Sequence, residues 1–152
     1  MDPHDDTTGP AEALCTFASL ELGAVAGRRP EEIGAFLDAG RQRLRAGDAE
    51  AACDLVEYAC LLRADDAASW ELAAIARLRA GRPLPAGLAA EAAWSLEPSW
   101  QRAALRALCC EAAGDDAGAE RWRDEAWALA PESPDERTRL ERAFAREREV
   151  GR

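Results

Sequence analysis

EYACLLRA at residues 57–64, EAAWSLEP at 91–98 and DEAWALAP at 124–131 are three versions of one phrase. Each opens on an acidic residue, holds alanine at its third position and closes on Ala or Pro. The offsets are 34 and then 33 residues. A self-similar interval of this size is the mark of a stacked helical repeat, in which each unit buries its apolar face against the next.

Composition agrees with a helical fold. The 152 residues suit one domain. Hydrophobic residues make up 48% and charged residues 32%, enough for a core and for solubility. Alanine accounts for roughly a quarter of the chain; it is the best helix former but buries little area, so the core depends on close helix approach. Valine and isoleucine are scarce and Tyr58 is the only tyrosine, which argues against a sheet. All the positive charge is arginine, and the net charge is −10. That disfavours a nucleic-acid partner, whose phosphates call for a basic field.

Reading along the chain, residues 1–10 form an acidic, polar arm without the basic start and apolar run of a signal peptide. No apolar stretch reaches the length of a membrane span. A helix is expected over 11–26, with Leu14, Phe17, Leu20 and Ala24 at helical spacing, broken by GRRP. Paired helical segments follow at 31–46, 49–63, 67–80, 85–97, 99–113 and 116–130. Gly47, Gly81 and Gly114 split the pairs, again 34 and 33 residues apart, and Asp48 is a candidate N-cap. A final helix is expected over 133–150, opened by Ser133, Pro134 and Glu136 in a capping-box arrangement.

The pattern is that of the tetratricopeptide repeat (TPR), with units at 33–66, 67–99 and 100–132. The second carries Trp70, Ala73, Ala74, Gly81, Ala86, Ala93 and Pro98 at the repeat positions. The first carries Phe36, Ala39, Gly40, Gly47, Ala52 and Ala59, with Ala64 in place of the proline. The third carries Ala104, Ala107, Gly114, Ala119, Ala126 and Pro131, after a one-residue contraction near 99–101. Small residues let helices approach, a bulky one fills toward the next helix, glycine takes the left-handed turn and proline ends the second helix. The fold class is therefore all-α: a solenoid of three helix pairs, an N-terminal helix at 11–30 and a C-terminal capping helix at 133–152. Leu140, Ala143 and Phe144 give that cap its narrow apolar stripe.

Three repeats between two such helices resemble the class II chaperones of bacterial type III secretion, the LcrH/SycD type. The resemblance covers residues 12–148 and rests on the break before PEEI, the GDAEA turn at 47–51 and Cys109, in that order and spacing. It implies a cytoplasmic chaperone that holds hydrophobic translocator proteins soluble and apart before export, in a concave TPR groove that receives an extended client segment. It also implies self-association through the N-terminal helical region, which makes Leu14, Phe17 and Leu20 the candidate dimerisation residues of a homodimer.

In a TPR the concave wall is one face of each first helix, and spacings of i, i+4 and i+7 share a face. The candidate client-binding residues are Leu37, Arg41 and Leu44, then Glu71, Ile75 and Leu78, then Leu105, Cys109 and Ala112. The family often has aromatic residues in the first set; here leucine and arginine imply shallower pockets, with Arg41 pairing to a client carboxylate or to Glu71. Trp70, Trp94 and Trp127 occupy positions that pack between helices. Trp100 and Trp122 fit the repeat less well and are expected to be partly exposed, marking a second, convex contact.

Other functions find little in the residues. His4 is the only histidine and lies in the arm, and no Gly-rich phosphate loop appears, so neither an enzyme nor a cofactor is expected. The five cysteines, Cys15, Cys53, Cys60, Cys109 and Cys110, show no C-x-x-C and are expected to be reduced, buried thiols. A general TPR adaptor for terminal carboxylates needs a lysine-lined clamp; the chain has no lysine, and Arg102 and Arg106 are the only matching residues. Another small TPR chaperone of the same secretion system, serving needle or export-gate subunits, is the nearer alternative.

Overall fold

The structure, a computed structural model, describes residues 30–130 and 133–150. The arm at 1–10 and the helix expected over 11–26, with Leu14, Phe17 and Leu20, lie outside the described residues, as does Pro131. The described residues form seven helices and no strand: α1 (Pro30–Arg45), α2 (Ala49–Leu62), α3 (Ala67–Arg79), α4 (Pro83–Leu96), α5 (Trp100–Ala112), α6 (Asp116–Leu129) and α7 (Pro134–Val150). Each boundary falls within about two residues of its expected place, the range over which fraying helix ends are defined at all.

The helix starts are set by side chains. Asp48, Asp66, Ser99 and Asp115 each accept a hydrogen bond from the backbone N–H three residues on, at Ala51, Ser69, Arg102 and Gly118. Such caps satisfy otherwise unpaired donors and stabilise by about 1 kcal/mol each. α4 has no side-chain cap; it starts instead with Pro83 in its first turn.

The first helix of every pair ends in the same way. Gly47, Gly81 and Gly114 have φ of 81°, 74° and 78°. Each glycine N–H bonds the carbonyl three residues back, at Leu44, Leu78 and Glu111. The next residue's N–H reaches five back, to Arg43, Arg77 and Cys110. This is the Schellman closure, and its left-handed residue is why glycine recurs at each turn.

Packing makes the curve. First helices touch across repeats, α1 to α3 and α3 to α5, and each helix packs on its neighbour in sequence from α1 through α6. No comparable backbone contact joins α2 to α4 or α4 to α6. A stack closed along one layer and spread along the other bends toward the closed layer, so the first helices form the inner wall. The seams are lined by alanine: Ala52, Ala59, Ala74, Ala86, Ala93, Ala107 and Ala126 are all buried. At Gly40 even one added methyl would meet the Val56 side chain at 2.6 Å, so glycine is what lets α1 approach α2 here.

Two clusters share the core. The larger runs from Ile33 through the first two repeats to Leu105 and Cys109. The smaller joins Ala103, Ala104 and Ala126 to Leu140 of α7, which is 0% exposed. α7 thus covers the open end of the stack at α5. Burying that leucine contributes roughly 2 kcal/mol.

Candidate functional site: the inner wall

The left-handed glycines give each first helix a common origin. Ten residues before them stand Leu37, Glu71 and Ala104; six before, Arg41, Ile75 and Leu108; three before, Leu44, Leu78 and Glu111. In the first two repeats these are the residues expected from spacing. In the third they are not: Leu105, Cys109 and Ala112 each sit one position later, a turn of roughly 100° around the helix. The reason is local. Four residues, 63–66, link α2 to α3, but only 97–99 link α4 to α5. The contraction lies wholly in the turn, so α5 keeps the register of α1 and α3. Counting back from Gly114 instead of forward from the contraction finds Leu108.

The candidates differ in what they touch. Leu37, Leu44, Leu105 and Cys109 are buried in the main cluster, so their first role is packing. Ile75 and Leu78 are half-buried against it, and Ala112 is exposed at the end of α5. Leu108 is half-buried and belongs to neither core cluster. The middle rung, Arg41–Ile75–Leu108, therefore offers one cation and two aliphatic side chains, all half-buried.

Charge on the wall is mostly committed. Arg41 Nη1 lies 2.8 Å from Asp38 Oδ1 on the same helix. Glu71 pairs with Arg102 of the next first helix, Nε to Oε2 at 3.1 Å. Arg102, 8% exposed, also donates from Nη1 to the Glu97 carbonyl at 2.7 Å and lies 3.1 Å from the Glu97 carboxylate. Glu111 meets Arg123 Nη2 at 2.5 Å. Arg79 crosses the repeat boundary and donates to the Leu44 carbonyl at 3.3 Å, near the C-terminus of α1.

The aromatic residues lie largely between helices. Phe36 and Tyr58 meet edge to face at 4.8 Å between ring centroids. Trp70 Nε1 donates to the Ala64 carbonyl at 2.8 Å, spanning the turn into its own helix. Trp94 and Trp122 meet edge to face at 5.1 Å, and the Arg106 guanidinium stacks on Trp122 at 3.8 Å. Trp100 is half-buried in the smaller cluster. Trp127 lies 6.4 Å from Phe144 of α7 but stays 38% exposed.

Among the described residues the cysteines are free thiols: Cys53, Cys60 and Cys109 are buried and Cys110 is half-buried. Burial pushes the thiols of Cys60 and Cys109 up to about 12. No group of three or more His, Cys, Asp or Glu side chains among the described residues is arranged to hold a metal ion. None of the described helices is long and apolar enough to cross a membrane.

No family model and no curated protein matches the sequence. Solved structures match it over most of its length. A type III secretion complex from Aeromonas hydrophila superposes with a TM-score of 0.76 at 18% identity, covering 94% of this chain and 96% of that one. PcrH in complex with the chaperone-binding region of PopB gives 0.71 at 22%, covering 78% and 97%. The Yersinia enterocolitica chaperone SycD, in complex with a peptide of the translocator YopD, gives 0.69 at 16%, covering 82% and 98%. The chain has the fold of the type III secretion translocator chaperones.

Proposed function

We propose that this protein is a cytoplasmic, non-enzymatic chaperone of type III secretion. It binds hydrophobic translocator proteins through its inner wall and keeps them soluble and apart before export. The observation that supports this most is the combination of fold and rung. PcrH and SycD, which share the architecture, are described in complex with segments of translocators, and here the inner wall carries Ile75 and Leu108 in one register without either being wholly consumed by the core. Apolar anchors of this kind give an extended peptide most of its affinity.

The adaptor alternative is weakened by the same geometry. A terminal-carboxylate clamp needs cations free to receive it. Arg102 already serves two glutamates and a carbonyl, and Arg106 pairs with Glu91 at 2.6 Å while stacking on Trp122.

The test is co-expression with each hydrophobic secretion substrate of the same system, followed by co-purification. A translocator is expected to be stabilised; stabilisation of a needle subunit alone would point to the other chaperone class. Leu44→Asp with Ile75→Asp would disturb a buried leucine, so Ile75→Asp with Leu108→Asp is the cleaner probe. It should abolish client binding while helicity by circular dichroism persists, and retained binding would sink the inner-wall assignment.

A further inference from the structure

α7 is more than a cover for the last repeat. Its Arg137 N–H donates to the Ser133 carbonyl, as Trp70 does to Asp66 in α3 and Ala103 to Ser99 in α5. The three accepting residues lie 33 and then 34 apart, so α7 starts where the first helix of a fourth repeat would. It also packs on α5, as α5 packs on α3. Nine residues past the three acceptors stand Ile75, Leu108 and Arg142. Arg142 follows the buried Leu140 by two residues, as Ile75 follows the buried Ala73, and so faces away from the core in the same sense. The middle rung of the inner wall therefore has a fourth member. It reads Arg41, Ile75, Leu108, Arg142, two aliphatic side chains with a cation at either end.

Charge divides between the layers in the same direction. The outer helices α2, α4 and α6 hold eight acidic residues and two arginines. The inner helices α1, α3, α5 and α7 hold ten acidic residues and twelve arginines. On the wall itself, Glu71 and Glu111 are matched by Arg102 and Arg123. The exposed Arg142 side chain forms no ion pair or hydrogen bond among the described residues. Arg41 holds Asp38 on its own helix, with both side chains well exposed. Such a pair is weak, and a guanidinium has donors left for a second carboxylate.

We propose that the inner wall selects an extended segment that is aliphatic at its centre and acidic at both ends, with α7 supplying one of the two cations. The proposal rests on the inner wall being the binding face and names the chemistry of what it binds. One carboxylate of the segment meets Arg142, another meets Arg41, and two apolar side chains between them lie over Leu108 and Ile75. Three steps from helix to helix, of about 9 Å each, make a span of roughly 27 Å, which is about eight residues of extended chain. The acidic outer layer disfavours the same segment elsewhere on the surface.

The probe is a fluorescein-labelled synthetic peptide of ten residues with leucines at its centre and glutamate at both ends. Its binding to the full chain is read by fluorescence anisotropy, beside peptides that end in glutamine and in lysine. Affinity should fall in that order, at least threefold at each step. Arg142→Glu, at an exposed position, should weaken the glutamate peptide at least fivefold, leave the glutamine peptide within twofold and strengthen the lysine peptide. Arg142→Lys should keep most of the glutamate preference. Equal binding of the three peptides overturns the proposal, as does a glutamate preference unchanged in both Arg142→Glu and Arg41→Gln. Ile75→Asp with Leu108→Asp should abolish binding of all three. If the peptides bind wild type equally and are lost in that double variant, the inner wall stands and the acidic ends fall. If no peptide binds wild type, or binding survives the double variant, both readings fall together.

Discussion

Arg102 and Glu71 join the first helices of two successive repeats, with Nε 3.1 Å from Oε2. The guanidinium is nearly enclosed and the carboxylate about a third exposed. Removing the arginine leaves a glutamate facing a place shaped for its partner and an unmatched Glu97 carbonyl. We expect Arg102→Ala to destabilise by about 2–3 kcal/mol, at or below the lower end for a broken buried pair because water still reaches Glu71. Glu71→Gln, which keeps an acceptor, should cost less than half as much. Urea unfolding of the two variants checks both the size and the order.

The Schellman glycines make a second expectation. At φ of 74°, Gly81 sits where a Cβ is strained, although no atom lies within 4 Å of the position. Gly81→Ala should therefore lower stability by roughly 1–2 kcal/mol through backbone strain alone. Gly81→Asn should cost less, because asparagine tolerates the left-handed region. Thermal melts of the pair separate strain from packing.

Gly40 is the opposite case. Its helical backbone accepts any residue, but its surroundings do not: an added methyl meets Val56 Cγ2 at 2.6 Å. Gly40→Ala is expected to cost about 1–3 kcal/mol as overpacking. Combined with Val56→Ala, much of that cost should be recovered, a non-additivity that a double-mutant cycle measures directly.

The buried thiols link stability to high pH. Folding raises Cys60 and Cys109 to about 12 by taking them out of water. Below the ordinary thiol range both states are protonated and the stability they carry is fully present. As pH climbs above about 9 the unfolded chain loses these protons first, so stability falls, by up to about 1.4 kcal/mol per pH unit and thiol, until the folded thiols also ionise. Urea midpoints between pH 8 and 10.5 should fall accordingly, and the slope should shrink in Cys60→Ala with Cys109→Ala. Peptide-level mass spectrometry after alkylation at pH 8 should find both residues unmodified in the folded protein.

The repeat was legible because its determinants are local. Glycine at 47, 81 and 114, aspartate caps at 48, 66 and 115, and alanines where helices touch all leave marks in the residues themselves. The inner wall was half legible. Face spacing picks out Arg41 and Ile75, and in the third repeat the count back from the left-handed Gly114 gives Leu108 as their positional equivalent, where spacing alone gave Cys109. The outer face was not legible. α4 is apolar on nearly every side, so no periodicity says which leucines are covered; only the splay of the second helices shows that Leu84 and Leu88 are not.

The shortened link at 97–99 has a wider meaning. One residue has been dropped from the chain without turning any side chain on the inner wall, because the loss falls between helices. The same deletion two residues later, inside α5, would turn one part of that helix against the other by roughly 100°. Length in this molecule is free at the joints and fixed along the beams. A bound segment is therefore measured by the distance between helices rather than by the number of residues that separate them, and insertions in the outer turns can accumulate while the measure stays constant.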